Sequence, residues 1–287
     1  MTGDEQARPV GEPVWPRSGS LGGVPFVALP PTAVDVPAQD GLIVCWHAFE
    51  PPRTEAAMAA ALPMTGMPVW RVYLGLRLPG RTEGDHGDYL GLLGATVERA
   101  AAGLPEAVSG LRELLGLPEG AVGLAGHGEG AMVALLALAE RRVPVSAAAL
   151  VAPMARAARV IEARERRLGA YPWTPQARMI AERLDLTARI AEIAEADPRL
   201  LLVGGAGDLL VPAEEVQELQ EQLTGAGITT AEAVTFRMGH ALAAEPGLEP
   251  KPPLAAAVSV DAALTDWFRQ HLAAGVDTGR PMAAPVG

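Results

Sequence analysis

Apolar residues along this chain fall into two alternating kinds of run. Short, nearly continuous apolar stretches recur at 24–29, 42–47, 69–74, 121–125, 146–151, 200–204 and 231–236 and predict strands. Between them, apolar positions repeat at helical spacing over 54–62, 88–102, 105–115, 129–142, 213–224 and 254–273. Strands apolar on both faces, separated by helices, read as a mostly parallel sheet covered on both sides. Three segments break the rhythm. Residues 1–23 carry Pro9, Pro13, Pro16 and several glycines without a period, and predict a flexible arm ahead of a domain at 24–274. Residues 275–287 read as a tail. The stretch at about 153–198 separates two strands with three amphipathic pieces and reads as a small helical cap inserted into the domain. Its arginines Arg156, Arg159, Arg164, Arg166 and Arg167 look like a solvated helix face partnered by Glu162 and Glu165.

The most informative motif lies where the strand at 121–125 meets the helix at 129–142. It reads Leu124-Ala125-Gly126-His127-Gly128-Glu129-Gly130-Ala131-Met132. A strand, a tight turn and a helix are the setting of the G-x-S-x-G nucleophile elbow, whose glycines let the helix pack closely on its strand. Gly126 and Gly130 stand where the outer glycines belong, and Gly128 stands where the serine would be. A P-loop is a poor alternative, because its Lys and Ser/Thr are missing. Farther on, the apolar run ending at Val203 leads into Gly204-Gly205-Ala206-Gly207-Asp208-Leu209-Leu210-Val211-Pro212, an acid just past a strand. The run ending at Phe236 leads into Arg237-Met238-Gly239-His240-Ala241, a histidine in the next post-strand loop. Elbow, acid, histidine is the chain order of a triad on this kind of sheet.

On these residues the chain resembles the α/β-hydrolases, in particular small dienelactone-hydrolase and prolyl-oligopeptidase-like esterases. The likeness covers about 24–272 and includes Trp70-Arg71-Val72-Tyr73-Leu74-Gly75, Tyr171-Pro172-Trp173-Thr174-Pro175 and His240-Ala241-Leu242-Ala243-Ala244-Glu245-Pro246-Gly247. The resemblance implies an eight-stranded, mostly parallel sheet flanked by helices, with the cap following the sixth strand. It implies an ester, thioester or lactone type of substrate and a serine at the elbow, which this chain replaces with Gly128. His240 and Asp208 retain the positions of a base and its orienting carboxylate. The oxyanion hole is expected from backbone N–H groups of Glu129 and of Ala48 or Phe49. Glu129 itself is expected to favour the helix start through the dipole. His47, in a His-Ala pair where the family often has His-Gly, and His127, beside the elbow centre, are expected to be structural. Tyr73, Leu76, Tyr171 and Trp173 are candidates for a mainly apolar substrate pocket lined from the 75–88 loop and the cap at 153–198.

Composition narrows the partners. Lys+Arg of 23 against Asp+Glu of 34 gives a net charge of −11, which disfavours nucleic acid and anionic membranes. A single cysteine, Cys45, leaves no internal disulfide. The polar start (Met1 to Gln6) is unlike a secretory signal, and no apolar run spans a bilayer, so a cytoplasmic protein acting on a small molecule is expected. No cofactor and no metal site is indicated. Three readings of Gly128 remain open: a non-hydrolytic acid–base enzyme of lyase, cyclase or isomerase type, a hydrolase whose serine has been replaced, and a ligand-binding pseudohydrolase.

Overall fold

The computed structural model describes residues 15–76 and 88–272. Eight strands form one sheet: β1 (Arg17–Leu21), β2 (Val24–Leu29), β3 (Leu42–Trp46), β4 (Trp70–Leu74), β5 (Val122–His127), β6 (Val145–Val151), β7 (Arg199–Gly205) and β8 (Ala231–Phe236). Their spatial order is β1-β2-β4-β3-β5-β6-β7-β8. β1, β2 and β4 pair antiparallel, and every other pairing is parallel. The connecting helices are α1 (Glu55–Ala61), α2 (Tyr89–Ala102), α3 (Leu104–Leu115), α4 (Glu129–Ala139), α5 (Ala157–Leu168), α6 (Pro175–Arg183), α7 (Ile190–Glu195), α8 (Ala213–Gly225) and α9 (Ala255–Leu272).

The central runs form β3 to β7 because these strands are largely buried on both faces, whereas β2 and β8 are buried only in part. In β3, Leu42, Val44 and Trp46 face one core, while Ile43 and Cys45 face a second core shared with Met58 of α1 and Trp267 and Phe268 of α9. Burial raises the pKa of the Cys45 thiol, so it stays protonated and inert. The central helix α4 is buried at every position, as its nearly unbroken apolar sequence demands. Glu129, at its first turn, is the exception in chemistry but not in burial.

The predicted arm needs correction in its last third. Residues 17–21 are a strand, joined to β2 by Gly22-Gly23 with φ of 55° and 74°. Two consecutive positive φ values make the tight hairpin turn that glycine pairs favour. β1 escaped the hydrophobic pattern because, as an edge strand, it buries almost nothing. Residues 1–14 of the arm and the predicted tail lie outside the described residues. The segment expected to be a cap forms α5, α6, a 3-10 turn at Leu186–Arg189 and α7, all between β6 and β7.

Register fixes where the chemistry sits. Trp46 at the end of β3 pairs with Leu74 of β4 on one side and Gly126 of β5 on the other. The segments leaving these strands therefore emerge side by side at the carboxyl edge of the sheet, where β7 and β8 also end. Crevices of open α/β sheets lie at this edge. No helix among the described residues is long and apolar enough to cross a membrane.

Candidate active site

The elbow is built as its glycines require. A Cβ on Gly126 would lie 2.3 Å from Gly130 O, and one on Gly130 would lie 2.4 Å from Trp46 O. Side chains at either position would push α4 off the sheet. Gly128 has φ 55° and ψ −114°, a conformation sparsely populated by L-residues. Glycine adopts it without strain, so the turn follows this path at no backbone cost with no side chain at its centre.

His240 and Asp208 come together beside it. His240 Nδ1 lies 2.8 Å from Asp208 Oδ2. Asp208 is locked in turn, because its Oδ1 accepts the N–H groups of Leu210 and Val211 at 2.8 and 2.9 Å. Burial works against the charged Asp208, but the hydrogen bond and charge of His240 and the two N–H donors outweigh it and lower its pKa. Burial likewise opposes a charged His240, and the Asp208 carboxylate more than offsets it, so the imidazole pKa is raised. With Nδ1 donating to Asp208, the neutral ring presents Nε2 as its basic nitrogen. Nε2 is buried, hydrogen-bonds to no group among the described residues, and lies 3.1 Å from where a Cβ on residue 128 would be. The same Cβ would come within 3.0 Å of the Ala48 methyl. The Ala48 methyl crowds the space a side chain at 128 would need.

Of the backbone N–H groups expected to form an oxyanion hole, that of Phe49 is engaged by a side chain. Phe49 N–H donates to Glu129 Oε2 at 2.8 Å, and Tyr89 OH donates to Glu129 Oε1 at 2.7 Å. Glu129 stands in the first turn of α4 and is 1% exposed, a buried carboxylate with both oxygens hydrogen-bonded. A buried carboxylate needs such donors to offset its desolvation. Burial and the adjoining Glu129 charge raise the Tyr89 pKa well above its ordinary value, which keeps the phenol protonated and donating. Arg164 lies 4.1 Å over the Tyr89 ring and is 7% exposed. That corrects its reading as part of a solvated face, whereas Arg159 does pair with Glu162 at 2.9 Å. The signal was present in the spacing, since Ala157, Val160, Ile161 and Arg164 fall on one buried stripe of α5.

The other histidines serve the framework. His47 accepts the Leu76 N–H on Nε2 at 2.9 Å, and its Nδ1 lies 2.7 Å from Ala48 O. Burial pushes its pKa down to about 4. His127 Nε2 lies 2.8 Å from His240 O, tying the His240 loop to β5, and burial with the nearby His240 charge lowers its pKa to about 3. The proposed pocket residues do not converge. Tyr73 is turned into the core, with its OH on Leu62 O at 2.5 Å. This follows from strand alternation, which puts it on the α1/α9 face. Leu76 packs in the opposite core, its N–H held by His47. Tyr171 and Trp173 pack edge to face at 5.3 Å, and Tyr171 OH accepts the Leu90 N–H at 3.3 Å, so they join the 153–198 segment to α2. Most of the 75–88 segment expected to line the pocket lies outside the described residues. Among the described residues no cluster of side chains could hold a metal ion.

No protein-family model matches the chain, and no curated protein matches it by sequence. Its structure is similar to TT1662 from Thermus thermophilus, with TM-score 0.60 and 19% identity over 89% of this chain and 99% of that one. It is similar to Est1E from Butyrivibrio proteoclasticus, with TM-score 0.59 and 16% identity over 90% of this chain and 99% of that one. It also matches the acylaminoacyl peptidase of Pyrococcus horikoshii, with TM-score 0.63 and 12% identity over 94% of this chain but 43% of the peptidase. The chain has the α/β-hydrolase fold.

Proposed function

We propose that this chain is an α/β-hydrolase-fold enzyme that moves protons on a small, largely apolar carbonyl or ester-type substrate without forming an acyl-enzyme. The reaction is of lyase, cyclase or isomerase type. The observation that carries this reading is the pairing of His240 with Asp208 at 2.8 Å, with the free imidazole nitrogen aimed at Gly128. A pseudohydrolase that merely binds a ligand has no use for that pair. In the proposed cycle His240 Nε2 takes a proton from the substrate and returns it to a second atom, while Asp208 fixes the tautomer and stabilises the imidazolium. Glycine at 128 leaves room for the substrate where a hydroxyl would stand. The Ala48 methyl, 3.0 Å from a Cβ at 128, supports glycine as the residue this site is shaped around rather than a serine lost from an intact hydrolase.

The test is solvent-deuterium incorporation, followed by NMR, into a panel of C–H acids: β-diketones, β-keto esters and thioesters, and α,β-unsaturated lactones. His240→Ala and Asp208→Asn are expected to lose about 10²–10⁴-fold in exchange on the responsive substrate, with its binding retained. Exchange that neither substitution changes would make the protein a binder.

A further inference from the structure

We infer that Glu129 is the specificity-determining residue of this site, its carboxylate occupying the place where a developing oxyanion would be held and closing the site to acyl transfer. In this fold the hole is formed by two backbone N–H groups, that of the residue after the elbow centre and that of a residue in the loop after β3. Here the second donor, Phe49 N–H, is taken by Glu129 Oε2 at 2.8 Å. The carboxylate is pinned from its other side by Tyr89 OH at 2.7 Å. Tyr89 is in turn covered by the Arg164 guanidinium, 4.1 Å from its ring. A buried chain therefore runs from α5 through the start of α2 to the elbow. Every member is 7% exposed or less, so the carboxylate is not screened by solvent.

The consequence is electrostatic. Losing one oxyanion-hole donor costs about 10²–10³-fold in acyl transfer. Here the donor is lost and a fixed negative charge stands in its place, which opposes the formation of a second one nearby. The site therefore disfavours tetrahedral oxyanions even if a nucleophile is supplied. It favours a reacting group that gains positive charge or turns a hydrogen-bond donor toward Glu129. The same charge opposes an enolate oxygen placed beside it, so in a proton transfer by His240 the substrate oxygen that gains charge must face away from Glu129.

The experiment supplies the missing nucleophile and varies Glu129. Ala48→Gly/Gly128→Ser gives a serine hydroxyl beside His240 and relieves the Ala48 contact. Its hydrolysis of p-nitrophenyl acetate and its labelling by a fluorophosphonate are compared with the same chain carrying Glu129→Met. Removing the carboxylate is expected to raise both rates by about 10²–10³-fold, as returning an oxyanion donor should. Equal rates with and without Glu129, whether both low or both high, overturn the inference. Should the Met variant fail to fold, Glu129→Ala takes its place. A further readout needs no serine: in the otherwise unchanged chain, Glu129→Met should shift the Phe49 amide resonance and speed its hydrogen exchange. An unmoved Phe49 amide also overturns the inference. Proton exchange by the unsubstituted elbow is measured separately, so failure of either reading is told apart from failure of the other.

Discussion

Gly128→Ala asks whether the elbow is shaped around glycine. At an ordinary site, replacing Gly by Ala stabilises a protein by about 0.4–1 kcal/mol through the unfolded chain. Gly128 is not ordinary. Its φ of 55° and ψ of −114° cost a non-glycine residue about 1–3 kcal/mol. The new methyl would also sit 3.0 Å from Ala48 Cβ and 3.1 Å from His240 Nε2, so both neighbours must give way. Overpacking of this kind costs about 1–3 kcal/mol. The net expectation is a loss of about 3 kcal/mol, or about 6–12 °C in Tm for a domain of this size. Urea denaturation and calorimetry measure it directly. Adding Ala48→Gly should recover the contact part, giving a coupling of about 0.5–3 kcal/mol between the two positions. Gly116→Ala, at φ 68° with no atom within 4 Å of the added Cβ, reports backbone strain without crowding. A Gly128→Ala protein as stable as the parent would refute the reasoning.

Three further outcomes follow from the same geometry. The His240 imidazole should titrate above the ordinary 6.5 in an NMR pH series, and Asp208→Asn should bring the midpoint down. His240, with its raised pKa, contributes stability that is present below about pH 6.5 and lost as pH rises through the folded value. His47 and His127 act in the opposite sense. Their folded pKa values of about 4 and about 3 mean that the unfolded chain binds more protons below 6.5, so stability falls as the pH drops from 6.5. His47→Gln should flatten that acid-side slope by about 1.4 kcal/mol per pH unit in urea denaturation. Tyr89→Phe leaves Glu129 Oε1 without its donor and should cost about 1.5–3 kcal/mol, since hydrogen bonds to charged groups are the stronger kind. An unchanged urea midpoint would mean the phenol does not hold the carboxylate.

The sheet was legible because its central strands are largely buried on both faces, so they stand out as apolar or nearly apolar runs. β1 did not, since an edge strand with Ser18 and Ser20 facing solvent carries no apolar period, and its signal lay in the Gly22-Gly23 pair. The elbow, Asp208 and His240 were legible because each sits a few residues past a strand end, where chain order constrains what it can meet. Pocket residues were harder. Tyr73 was misplaced because period-2 alternation, which points it toward α1 and α9, was not applied to a strand apolar on both faces. The Glu129–Tyr89–Arg164 chain joins residues 40 and 75 positions apart, and pairwise contacts of that kind leave no local pattern. The spacing of Arg164 on the buried stripe of α5 was the one readable hint.

The account turns on the claim that this elbow does proton chemistry because it has no serine. The most direct measurement follows two reactions, deuterium exchange into the responsive C–H acid and hydrolysis of an activated ester, in the parent and in Gly128→Ser. The parent should exchange and barely cleave. Gly128→Ser should lose at least about tenfold in exchange, because its hydroxyl engages His240 Nε2 and displaces the substrate, and it should gain little ester cleavage while Glu129 holds Phe49 N–H. A parent inert in exchange, together with a Gly128→Ser protein that turns over esters robustly, would contradict the claim and return the chain to the hydrolases as one that has merely lost its nucleophile.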